Sequence, residues 1–149
     1  MSAGPEVAAL RTLIGELLAT PDGATYIANV LAGSDVRYEV GDDHALSGRL
    51  VPDLTLGDGR RVTELMRSGR PVLLDSSGGR YAEVAQGWAD RIDINQATVI
   101  DGPAALLIRP DGYVAWAADG FDDDNQIRLA GALRRWFGTQ DANAAALSA

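Results

Sequence analysis

The 149-residue chain contains no cysteine. Disulfides, thiolate catalysis and cysteine-ligated zinc are excluded together, because each depends on bonded or ionised sulfur. Lysine is absent as well, all thirteen basic residues being arginine. That removes Schiff-base chemistry and the lysine of phosphate-binding loops. A single histidine, His44, leaves no multi-histidine metal site to assemble. Positive charge is scarce overall: 13 arginines face 21 carboxylates, for a net charge of −8. A general nucleic-acid binder needs a cationic face for phosphates, and an anionic membrane surface needs the same, so neither partner is expected. No apolar run approaches the roughly 20 residues of a membrane span. The N-terminus lacks a basic stretch followed by an apolar one, so no secretory signal is read and a cytoplasmic location is the default expectation.

What is present is an ordinary single-domain quantity of chain, 46% hydrophobic and 23% charged. The first 32 residues read as a helical hairpin. Val7, Leu10, Ile14, Leu17 and Leu18 recur at three and four between Pro5 and Thr20, the spacing of one buried stripe. Pro21-Asp22-Gly23 stops that helix, with Asp22 as the expected cap of a second one carrying Tyr26, Ile27, Val30 and Leu31, ended at Gly33.

Beyond residue 50 the order is strand, short helix, strand, helix, strand, hairpin, helix. Val51–Leu56 alternates like a strand, and Gly57-Asp58-Gly59 is turn chemistry. Val62–Met66 fits one or two helical turns, and Val72–Asp75 is a continuous apolar run suited to a central strand. Tyr81–Trp88 reads as a helix and Ile92–Ile100 as a strand. Arg109-Pro110-Asp111-Gly112 joins two apolar segments as a hairpin, proline presetting the turn and glycine taking positive φ. Asp122–Asn125 opens a last helix to about Phe137, acids at its start and Arg128, Arg134 and Arg135 towards its end complementing the macrodipole. The expected fold class is α/β, a mixed sheet flanked by helices and preceded by an N-terminal helical hairpin. The expected division is 1–34 for the hairpin, 35–138 for the sheet domain and 139–149 for a flexible tail.

Three phrases carry a family resemblance. They are Asp35-Val36-Arg37-Tyr38 with His44 and Gly48-Arg49 leading into Val51-Pro52-Asp53-Leu54, then Gly69-Arg70-Pro71-Val72-Leu73-Leu74-Asp75, and finally Leu106 to Trp116. Together the chain resembles the C-terminal thioredoxin-like domain of FAD-dependent aromatic-ring hydroxylases, the group spanning phenol hydroxylase and the polyketide hydroxylases. The resemblance implies a thioredoxin-like sheet whose active cysteines have disappeared, with Asp75-Ser76-Ser77-Gly78-Gly79 where the first thiol would stand. Pro103 would correspond to the cis-proline beside a thioredoxin active site. It further implies packing, oligomer contacts or shielding of flavin and substrate domains, not a supply of catalytic groups. No G-x-G-x-x-G fingerprint is present to hold a flavin, so no cofactor is expected. The initiating Met1 and the helical lead-in favour a separately encoded accessory domain.

The candidate contacts for a partner or ligand are Arg37, Tyr38, His44, Arg49 and Trp116. Arginine and tyrosine are favoured at interfaces, while an internal salt bridge of Arg37 or Arg49 to Asp35 or Asp53 is the competing reading. Trp88, Trp116 and Trp136 read as core residues, with an aromatic-ligand groove lined by Tyr38, Trp88 or Trp116 as the alternative. A serine triad would have to join Ser76 or Ser77 to His44, and nothing in the spacing does so. Capping explains Asp122–Asp124 better than a cation site, and His44 is expected to anchor its own loop by a hydrogen bond. The expected partners are a flavoprotein hydroxylase, a second copy of the chain, or an aromatic small molecule. A cofactorless enzyme using Asp75 or His44 as acid or base ranks last.

Overall fold

The computed structural model describes residues 4–32 and 36–140. It divides into two compact units, Met1–Val36 and Arg37–Ala149. Gly33 and the residues beyond 140 lie outside the described residues, and so do the expected helix end and tail assigned to them.

In the first unit, α1 (Pro5–Leu18) and α2 (Pro21–Leu31) pack against each other as the expected hairpin. The cap of α2 is Thr20, not Asp22: the Thr20 hydroxyl accepts from the Gly23 N–H at 3.1 Å. Pro21 at the first helical position explains the shift, since proline there needs no hydrogen bond and leaves the preceding residue as the cap. Neither helix has a buried residue. The stripe read as buried is instead exposed, Leu10 by 56% and Leu18 by 47%.

The second unit is built on a four-stranded sheet in the order β2-β1-β3-β4. Strand β1 (Val72–Asp75) pairs parallel with β2 (Asp93–Gln96) and antiparallel with β3 (Ala105–Ile108). Strand β4 (Val114–Ala118) pairs antiparallel with β3, so β3 alone is reversed. Every residue of β1, β3 and β4 is buried, because both faces are covered. On one face Leu73, Leu107 and Trp116 meet α4 (Arg80–Ala85) and α5 (Asp123–Phe137) through Tyr81, Ala85, Leu129 and Leu133. On the other, Val72, Leu74, Leu106 and Ile108 meet Val51, Leu56, Val99 and Val62 of the short α3 (Val62–Leu65). The period-two alternation of a strand makes this division.

The β3–β4 turn forms as expected, with Gly112 at φ 87° and its N–H donating to the Arg109 carbonyl at 2.9 Å. An extra residue follows in β4: Leu107 pairs with Trp116 while Ile108 pairs with Val114. That bulge leaves Ala115 unopposed.

Two expected strands are shorter than read. Val51–Leu56 makes only isolated bridges, Thr55 with Arg61 and Leu56 with Val99, because Pro52 brings no N–H and the Leu54 N–H turns back to the Pro52 carbonyl. The Ile92–Ile100 strand ends at Gln96, beyond which Ala97 closes onto Asp75 and Val99 onto Ser76.

Candidate functional site

The loop after β1 stands at the carboxyl end of the central strand, where ligands bind in open α/β sheets. A cavity of about 250 Å³ opens there among Asp75, Ser76, Gly78, Gln96, Ala97 and Thr98. Asp75 is only 1% exposed. Its Oδ1 accepts from the Ser77 N–H at 2.7 Å and the Ser77 hydroxyl at 2.5 Å, and its Oδ2 accepts from the Ala82 N–H at 2.8 Å. These bonds hold the first turn of α4, whose opening N–H groups have no partner within the helix. Ser76 is committed as well: its hydroxyl donates to the Ala97 carbonyl at 2.7 Å and accepts from the Val99 N–H at 2.9 Å.

Pro103 is buried next to this loop, and the Ser76 N–H donates to the Ala104 carbonyl at 2.8 Å. The peptide bond before Pro103 is trans, as is every peptide among the described residues. Tyr81, the second residue of α4, donates its hydroxyl to the Gly120 carbonyl at 2.5 Å. Burial first, then the negative charges of Asp122 and Asp75, push its phenol up to about 12.

The other sequence candidates lie on and around residues 37–49. The Arg37 guanidinium donates to the carbonyls of Ser47 at 3.1 Å and His44 at 3.3 Å. It clamps its own loop instead of pairing with Asp53, whose partner is Arg61 at 2.9 Å. His44 anchors that loop as expected. Its Nδ1 accepts from the Leu46 N–H at 3.1 Å, which places the imidazole proton on Nε2, 3.2 Å from Asp119. His44 and the serines of the β1 loop therefore hold separate partners, and no triad forms. Tyr38 meets Tyr113 edge to face at 4.8 Å, and Arg49 is exposed. Trp88 and Trp116 are completely buried, so Tyr38, Trp88 and Trp116 do not line one groove. The Trp88 indole N–H instead donates to the Gly138 carbonyl at 2.7 Å.

In the sequence Asp42 reads, with Asp43 and His44, only as a poor candidate for a cation cluster, and its structural role is another one. Its side chain is 4% exposed and accepts from the Ser47 hydroxyl, from the Ala117 N–H at 3.4 Å and from the Arg128 guanidinium. It thus ties the 37–48 loop to both β4 and α5. No local signal announces a bond between residues 86 positions apart. The cap of α5 was readable: the Asp122 carboxylate accepts from the Asn125 N–H at 2.7 Å. Among the described residues, no group of three histidine, aspartate or glutamate side chains converges as a metal site.

A mixed sheet with β3 alone reversed, and a capped helix where a thiol would start one, define a non-thiol α/β domain. Residues 44–140 match the family described as aromatic-ring hydroxylase, C-terminal, and the chain belongs to that family. It is 39% identical over 145 residues to an anhydrotetracycline monooxygenase of Streptomyces rimosus, across 90% of this chain and 28% of that protein. A rifampicin monooxygenase of Streptomyces venezuelae is likewise 39% identical, across 95% of this chain and 28% of its own length. The solved structure of the anhydrotetracycline hydroxylase OxyS from Streptomyces rimosus superposes with a TM-score of 0.72 over 91% of this chain and 29% of that one. The chain thus spans little more than a quarter of the relatives it matches.

Proposed function

We propose that this chain is a non-catalytic accessory domain that works docked against the flavin- and substrate-binding portion of an aromatic-ring hydroxylase. The observation that carries the reading is the α1–α2 hairpin. It presents Leu10, Leu13, Ile14, Leu17, Val30 and Leu31 to solvent and buries none of its described residues. Isolated helices of 14 and 11 residues are marginal in water and gain their stability from packing an apolar face. Exposed apolar side chains gathered on two paired helices mark an interaction surface. A match spanning 95% of this chain takes in most of the hairpin, so the hairpin is shared with a relative about three-quarters of whose length lies outside the match. That remaining length supplies the cover. The β1 loop supports the non-catalytic part, because its carboxylate and Ser76 hydroxyl are engaged in structural hydrogen bonds. The scaffold is read as thioredoxin-like, kept for its shape after its sulfur was lost.

The test is co-expression with the remaining portion of the Streptomyces rimosus hydroxylase, followed by size exclusion with light scattering. Co-elution of a yellow complex is expected, lost when Leu13 and Leu17 are both replaced by glutamate. The chain alone is expected to be colourless. Flavin retained by this polypeptide by itself, or a stable dimer of the chain that excludes the flavoprotein, would overturn the reading.

A further inference from the structure

The 37–48 loop and the residue before β4 present two tyrosines to each other. The Tyr38 and Tyr113 rings meet with centroids 4.8 Å apart at an interplanar angle of 74°. Aromatic pairs span about 4.5–7 Å, so this contact is at the close end of the range. The backbones beneath both rings are fixed. The Tyr38 N–H donates to the Gly48 carbonyl at 2.7 Å, and the Gly48 N–H donates to the Val114 carbonyl at 2.8 Å. Gly48 sits at φ 77°, and a Cβ there would collide with the Tyr38 carbonyl, so that approach requires glycine. Tyr113 bridges antiparallel to Leu50, and its carbonyl accepts from the Arg109 N–H at 2.8 Å. The two phenols also share a hydrogen bond. Partial burial, then the nearness of the Tyr38 phenol and that bond, hold the Tyr113 phenol above its ordinary value. Tyr38 is 50% exposed, so a reagent in solution reaches the pair.

We propose that Tyr38 and Tyr113 form a modification site, coupled ring to ring as an intramolecular dityrosine by a haem peroxidase and hydrogen peroxide. Each phenol gives up one electron and its hydroxyl proton, leaving a phenoxyl radical with spin on the ring carbons beside the oxygen. The two radicals combine by forming one C–C bond between such carbons. Each of these carbons then passes its hydrogen, as a proton, to its own oxygen, which restores both phenols. Hydrogen peroxide takes up the two electrons and two protons and becomes two waters. Directly bonded rings have centroids one bond and two ring radii apart, slightly closer than the separation here, and their adjacent hydroxyls twist them out of one plane. The close centroids, the inclined rings and the shared hydrogen bond therefore approach the geometry of the product. Holding reactants in that arrangement lets an intramolecular step outrun an intermolecular one. Of the other two tyrosines, Tyr81 is fully buried against Trp116 and Phe121, and Tyr26, in the hairpin, is 61% exposed. The new bond fastens the 37–48 loop to the start of β4 in a chain with no cysteine to do so. The site lies within the second unit and stands or falls independently of the docking reading.

The experiment treats the full chain with a haem peroxidase and hydrogen peroxide, followed by denaturing electrophoresis, dityrosine fluorescence and tryptic mass mapping. The expected product migrates as a monomer, fluoresces as dityrosine and weighs two hydrogens less than the untreated chain. Its digest should yield one joined peptide pair containing Tyr38 and Tyr113. Tyr38→Phe and Tyr113→Phe should each lower the yield of that monomeric product at least tenfold, whereas Tyr26→Phe should leave it unchanged. Phenylalanine keeps the ring, and the joined peptides of the wild-type chain carry the assignment should a variant fail to fold. Dityrosine confined to covalent dimers through Tyr26 would overturn the proposal. A monomeric product that survives Tyr38→Phe, or no dityrosine in the chain where free tyrosine couples in the same solution, would do the same.

Discussion

Helices α1 and α5 carry the same kind of apolar stripe and meet opposite fates. In α5, Leu129 and Leu133 are fully buried against the sheet, whereas in α1 Leu10 and Leu13 are more than half exposed. Periodicity states which face of a helix is apolar; it does not state what covers that face. The sheet unit completes both of its cores from its own residues, and the hairpin leaves its apolar face open. The difference teaches that the same helical periodicity serves a face covered within its own unit and a face that its own unit does not cover.

The sharpest way to break that contrast is to truncate equivalent leucines. Leu107 is fully buried at the centre of the sheet, between Leu73 and Trp116. Leu107→Ala should cost about 2–5 kcal/mol, from lost transfer free energy and the cavity left behind. Leu13→Ala in α1 should leave the chain within about 0.5 kcal/mol of wild type, as exposed substitutions generally do. Urea unfolding of the two variants checks this, and comparable losses would show that the hairpin is covered after all. Next in size is Asp75→Ala. It deprives the Ser77 and Ala82 N–H groups of their acceptor at the start of α4, which predicts a loss of about 1–3 kcal/mol. Asp75→Asn, retaining one carbonyl oxygen, should lose less. A wild-type unfolding midpoint for Asp75→Ala would remove the capping role assigned to that carboxylate.

Most of the sheet unit was readable from sequence, for reasons particular residues illustrate. The run Val72–Asp75 lacks alternation because both faces of β1 are covered, and its central position followed from that alone. The Pro110-Asp111-Gly112 turn and the Asp122 cap are local devices whose chemistry lies within four residues. Val51–Leu56 failed as a strand because its alternation reflects burial of Val51 and Leu56 from an irregular backbone. Asp42 with Arg128 was invisible for another reason. The pair is made by tertiary folding, and in sequence the arginine reads only as a complement to a helix dipole. The family phrases marked the 37–49 region and β4 but not the cross-link between them.

Alkaline pH sharpens the comparison from the side of the sheet unit. The Tyr81 phenol titrates at about 12 in the fold, because burial and then Asp122 and Asp75 disfavour its ionised form. Its unfolded value is near 10. Between these values the unfolded chain has released the proton and the folded chain retains it. The Tyr81 contribution is therefore complete below pH 10 and is lost as pH rises towards 12, by about 1.4 kcal/mol per unit at most. A Tyr81→Phe protein should show a shallower decline over this range, and absorbance at the phenolate band should assign the latest-ionising tyrosine to Tyr81. An unchanged slope in the variant would place the alkaline sensitivity elsewhere.

The smallest expected stability effect discriminates best between the two regions. Leu13 is exposed, so Leu13→Glu removes no packing from the sheet unit and adds one more negative charge to a chain already at −8. Glutamate is also a good helix former, which leaves α1 itself intact. The change in urea midpoint should therefore stay within about 0.5 kcal/mol. Association with the flavoprotein portion of a hydroxylase should fall steeply, because a carboxylate would have to be desolvated within an apolar contact. An unaltered fold with lost association would separate the two units by function. Association that survives the charge would mean that the flavoprotein is held by the sheet unit, and the exposed stripe of α1 would then need another occupant.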